Sequence, residues 1–90
     1  MKLEPLFAEF DGLDSRERLE LLVEFSETLP ELSPERAATP PPRTCRVVEC
    51  QTDVDLWVDV ADGIVHLEAV VPRQAPTIRG LVALLIEGIN

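Results

Sequence analysis

Basic residues are scarce in this chain. Eight Lys and Arg stand against seventeen Asp and Glu in 90 residues, a formal net charge of −9, and the stretch from Val47 to Pro72 holds no Lys or Arg at all. A surface of that sign repels nucleic-acid backbones and anionic membranes, so neither is expected as a partner. The excess of acid serves solubility, or the docking of a basic partner. Cysteine is equally sparse: Cys45 and Cys50 are too few for a secreted disulfide scaffold. With no signal-peptide pattern and no apolar run of 18 residues, the expected compartment is the reducing cytoplasm, where a cysteine is judged by its reactivity. Length is the third shortage. A chain this short buries only roughly 60–65% of its unfolded surface, which disfavours a large catalytic cavity.

What is present is periodic. Leu3, Leu6, Phe7 and Phe10 lie at helical spacing, and Asp11-Gly12 closes that first helix. Asp14-Ser15-Arg16-Glu17 reads as a capping box opening a second helix to about Leu29, with Leu19, Leu22, Val23 and Phe25 as its stripe and Pro30 as its stop. Residues 30–43 hold five of the eight prolines and are read as an extended connector wrapping the domain. Beyond the short apolar run Cys45–Val48, Val54, Leu56, Val58 and Val60 alternate with Asp53, Asp55, Trp57 and Asp59, a strand with one wet, acidic face. Ala61-Asp62-Gly63 supplies turn chemistry, and Ile64–Val71 returns as the next strand. From Pro76 onward, Ile78, Leu81, Val82, Leu85, Ile86 and Ile89 make a helical stripe. Ala83 and Leu84 widen it, so the helix is expected either to self-associate through Ile78–Ile89 or to fray at its end. Helix, helix, strands, helix is an α+β order, with helices on one face of a small antiparallel sheet.

Cys50 is the candidate for chemistry because Val48-Glu49-Cys50-Gln51-Thr52 lies between strands, where a loop tip presents a side chain to a partner. The competing reading is a small buried hydrophobe.

Leu29-Pro30-Glu31-Leu32, then Val48-Glu49-Cys50-Gln51-Thr52-Asp53-Val54, the hairpin, and Ile78-Arg79-Gly80-Leu81 together resemble the SufE family in order and spacing. That family shows a Leu-Pro-Glu-Leu helix end, a Val-x-Gly-Cys-x-Ser-x-Val-Trp strand entry and an Ile-Val-Lys/Arg-Gly-Leu helix. The resemblance covers residues 1–90 as one SufE/IscU-like domain, about the first two-thirds of a typical member. It implies a chain that is C-terminally short, either as a reduced member or by omission of further helices. It also implies a function: Cys50 accepts persulfide sulfur from a cysteine desulfurase, stimulates that pyridoxal phosphate enzyme, and delivers the sulfur to an iron–sulfur scaffold protein. The chain is then a carrier rather than an enzyme and needs no cofactor or metal of its own. Glu49, Gln51, Thr52, Asp53 and Arg79 would border the site.

Departures from the family pattern raise an alternative. Glu49 replaces glycine, Asp53 replaces an uncharged residue, and Asp55 stands at the tryptophan position, with Trp57 two residues on and on the same sheet face. A carboxylate about 7 Å from a thiolate costs about 0.6 kcal/mol in water and about 2.4 kcal/mol at an effective dielectric of 20. The neutral thiol is therefore expected at rest unless Arg46, Arg79 or a partner's cation lies close. A module that regulates a desulfurase or scaffold by binding alone is the second reading, and a dithiol redox protein using Cys45 and Cys50 the third. Cys45 is otherwise a buried strand residue. A zinc site from Cys45, Cys50, Asp53 and His66 is disfavoured by the spacing. His66 is expected on the strand surface opposite Asp55 or Asp59, and Gly80 where a helix approaches a neighbour closely.

Overall fold

A computed structural model describes residues 3–48 and 51–90. Helix α1 spans Leu3–Ala8 and α2 spans Ser15–Ser26. The capping box is present in both directions: the Glu17 amide donates to Asp14 at 2.8 Å, and the Asp14 amide donates to Glu17 at 3.2 Å. Helix α2 ends sooner than its apolar pattern suggests. The Glu27 and Thr28 amides turn back onto the carbonyls of Glu24 and Phe25, so Leu29 enters the core from outside the helix.

The proline-rich connector contains structure that its proline content hides. Ser33-Pro34 opens a one-turn helix, α3, over Pro34–Ala37, with Pro34 at a helix start, where its missing N–H costs nothing. Arg43–Cys45 forms a 3-10 turn, so Cys45 is half-buried in that turn rather than buried in a strand. An isolated bridge, Arg46 to Asp55, follows it.

Strands β1, Asp55–Ala61, and β2, Ile64–Val70, form an antiparallel hairpin. Asp62 and Gly63 both have positive φ, 52° and 76°, the turn whose twist matches paired strands. The register pairs Leu56 with Ala69, Val58 with Leu67 and Val60 with Val65 on one face, and Trp57 with Glu68 and Asp59 with His66 on the other. His66 thus meets Asp59, one of its two expected partners. The apolar face is covered only near its base: Leu67 and Ala69 are buried, whereas Val58 and Val60 remain exposed toward the turn.

Helix α4, Pro76–Ile89, lies between α2 and the sheet. Its packing needs glycine. A Cβ on Gly80 would sit 1.9 Å from the Leu22 carbonyl oxygen, and one on Gly88 would sit 2.3 Å from a Leu3 methyl. Gly80, Ala83, Leu84 and Gly88 are buried, with Leu84 at 1% exposure, so the helix is used on more than the one stripe its spacing defines. Leu81, expected in that stripe, is 46% exposed because it points away from both neighbours. The last turn is held in place: the Asn90 side-chain amide accepts from the Leu67 N–H at 2.7 Å and donates to the Leu67 carbonyl at 2.9 Å, pairing with the outer edge of β2 as a strand would.

The opposite face of the hairpin carries the connector. Arg36 of α3 bonds Glu68 and reaches Asp59 at 2.7 Å, its guanidinium 5.6 Å from the Trp57 ring centre. The Ser33 amide donates to Glu68 at 2.7 Å. The wet face expected of β1 is therefore only partly wet.

Candidate functional site

The loop whose sequence contains Cys50 leaves the 3-10 turn at Arg46 and rejoins the sheet at Val54–Asp55. Glu49 and Cys50 lie outside the described residues, so the site is built from its two stems. The Val47 amide donates to the Val54 carbonyl at 3.0 Å, which joins the stems by their backbones. Arg46 joins them by its side chain. Its Nε donates to Asp55 Oδ1 at 3.1 Å, its Nη2 reaches Asp55 Oδ2 at 3.4 Å, and its Nη1 donates to Asp53 Oδ1 at 2.8 Å. The planar fork of a guanidinium allows one side chain to serve two carboxylates at fixed angles.

Those contacts change the electrostatics expected from the sequence. Asp55 was placed on a wet strand face; it is buried at 6% exposure, and Arg46 supplies the charge that burial requires. Asp53 is exposed but ion-paired, so its negative charge is partly neutralised beside the loop. The two acids hold the Arg46 guanidinium firmly in its charged form, Asp55 contributing most. Gln51 is exposed and Thr52 half-buried on the returning stem.

Arg79, expected at the border of the site, serves the scaffold. Its Nε donates to the Ser26 carbonyl at 2.9 Å and its Nη1 to the Val71 carbonyl at 2.7 Å, tying α4 to the end of α2 and the end of β2. The register puts Val71 at the same end of the hairpin as Val54, so Arg79 braces the base from which the loop springs.

Beside the stems lies an open cleft of about 290 Å³ lined by Pro41, Pro42, Arg43, Arg46, Val48 and Asp55. Its walls are proline rings and Val48, which is 79% exposed, with two guanidinium groups on a chain otherwise short of them. Among the described residues no cluster of His, Cys, Asp and Glu could hold a metal ion. No described helix is long and apolar enough to cross a membrane.

Sequence reasoning named Arg46 only as a cation that could lie near, and it missed Arg36. The signal for Arg36 was there: Ser33-Pro34-Glu35-Arg36 has the cap residue, first-turn proline and acid of a helix start inside a proline-rich stretch.

Two proteins of Mycobacterium tuberculosis, from strains CDC 1551 / Oshkosh and H37Rv, are each 39% identical over 88 residues; both are named as uncharacterized SufE-like proteins. The match takes in 93% of this chain and 55% of each relative, so the chain spans little more than half their length. A protein of Thermus thermophilus solved in solution and described as hypothetical superposes with a TM-score of 0.74 at 33% identity, over 98% of this chain and 60% of that one. The model of the SufE family, described as an Fe-S metabolism associated domain, matches residues 4–90, and the chain belongs to that family.

Proposed function

We propose that this chain is a cytoplasmic sulfur carrier in which Cys50 takes sulfur from a cysteine desulfurase and passes it to an iron–sulfur scaffold protein. The observation that carries the reading is the family match over residues 4–90, which spans the loop with Cys50 and both stems that support it. In the transfer step the Cys50 thiol loses its proton and the thiolate attacks the outer sulfur of the partner's cysteine persulfide. A new sulfur–sulfur bond forms at Cys50, the partner's sulfur–sulfur bond breaks, and the partner's cysteine leaves as a thiolate. No electrons are gained or lost overall. The pyridoxal phosphate chemistry that makes the persulfide belongs to the desulfurase, and the carrier is not itself an enzyme.

Such a step needs an exposed nucleophile on a supported loop, and the stems meet the second need. Residues 1–90 act as one unit in this reading, with segment 30–43 strapped on through Arg36. Glu49, Gln51 and Thr52 border the thiol, and the cleft between Pro41 and Val48 offers a partner an apolar wall with cations beside it.

The second reading is a module that binds a desulfurase without taking sulfur, and Glu49 in place of glycine is what favours it. Steady-state alanine release by the desulfurase separates the two. Stimulation by the wild-type chain that Cys50→Ser abolishes supports transfer; equal stimulation by both chains supports regulation by binding alone.

A further inference from the structure

We infer that Arg46 is a positioning residue for sulfur transfer, its one guanidinium gripping Asp55 at the root of β1 and Asp53 on the returning stem so that the two stems on either side of Cys50 are held together. The inference rests on the assignment of Cys50 as the sulfur acceptor. Its own basis is the three-way geometry. A backbone bridge pairs Arg46 with Asp55, and the Val47 amide closes on Val54, yet residues 51–53, the part of the returning stem before Val54, have no strand partner among the described residues. The bond from Nη1 to Asp53 is the side-chain tie on that part of the stem. Asp55 is buried and satisfied by Nε and Nη2, which fixes the guanidinium plane; the third arm then sets where Asp53 stands. Fixing the stems before docking lowers the entropic cost of bringing a nucleophile carried between them to the partner's persulfide.

Arg46→Ala is a poor probe, because it strands the buried Asp55. Asp53→Ala is the clean one: the residue is exposed, and losing its carboxylate removes the third arm while leaving the Asp55 pair intact. Arg46→Lys keeps the charge beside Asp55 but lacks the fork that reaches both acids. Both variants are compared with wild type in the 90-residue chain by amide exchange at Val47 and residues 51–54, and by sulfur uptake at varied carrier concentration. The expected result is exchange faster by on the order of tenfold in the loop, since one charge-assisted bond is lost, with β1–β2 amides unchanged. Uptake should need a higher carrier concentration to saturate, with the saturated rate little altered. Unchanged loop exchange in both variants overturns the clamp. Faster exchange with an unchanged concentration dependence overturns its role in transfer. If the wild-type chain itself takes up no sulfur, the assignment of Cys50 fails and with it the positioning role, while exchange still decides whether the clamp exists.

Discussion

At Asp55 the chain buries a carboxylate, and Arg46 makes that tolerable. The same guanidinium pairs with Asp53, which partly neutralises one of the two acids that flank Cys50 in sequence, Glu49 being the other. Glu49→Gly should therefore shift the pH midpoint of Cys50 alkylation downward and speed sulfur uptake near neutrality. Measuring alkylation rate against pH in a Cys45→Ser background checks this, and an unmoved midpoint would refute the electrostatic account. Sequence made the acids visible but not their partners. Alternation alone put Asp55 on a solvent face, because periodicity reports sides of a strand and not what a neighbouring segment lays over them.

At the scale of elements, two features set how the site is supported. The first is the contact of α4 with α2. Gly80→Ala drives a methyl group into the Leu22 carbonyl, and overpacking of this kind costs about 1–3 kcal/mol. Urea unfolding should show that loss; a neutral result would mean the helices separate without strain. The second feature is the connector. The Arg36 hydrogen bond holds the Asp59 carboxyl below its usual range. Glu68 is likewise lowered, first by the Ser33 amide and then by Arg36, against the opposing pull of burial. Carboxylates with lowered folded values stabilise the fold fully above their unfolded values, 3.8 for Asp and 4.5 for Glu, and lose that contribution as pH falls through the folded ones. Acidification below about pH 4.5 should thus weaken the wild-type chain, and Arg36→Ala should flatten that slope. Parallel slopes in thermal melts from pH 5 to 3 would argue against the strap. The helices, the capping box and the hairpin with its Asp62-Gly63 turn were legible because each is encoded by contiguous residues. The strap was not, since its meaning lies in contacts 23 and 32 residues away in sequence.

For the whole molecule, the core is small and centred on one side chain. Leu84 is the most buried large residue, in one core cluster with Phe25, Leu67, Ala69 and Val71, yet the helical stripe read from sequence runs beside it. Leu84→Ala should cost about 2–5 kcal/mol, a large share of the roughly 5–13 kcal/mol available to a chain of this length. A midpoint in urea unchanged from wild type would show the core to be elsewhere. The proposed function leaves the demanding chemistry to a desulfurase partner. That division of labour is open to direct measurement by intact-mass and peptide-resolved spectra after incubation with a cysteine desulfurase and cysteine. The account predicts the mass of one added sulfur atom, localised to the peptide containing Cys50, retained in Cys45→Ser and lost in Cys50→Ser. An unmodified Cys50 in a chain that still binds the desulfurase would contradict it.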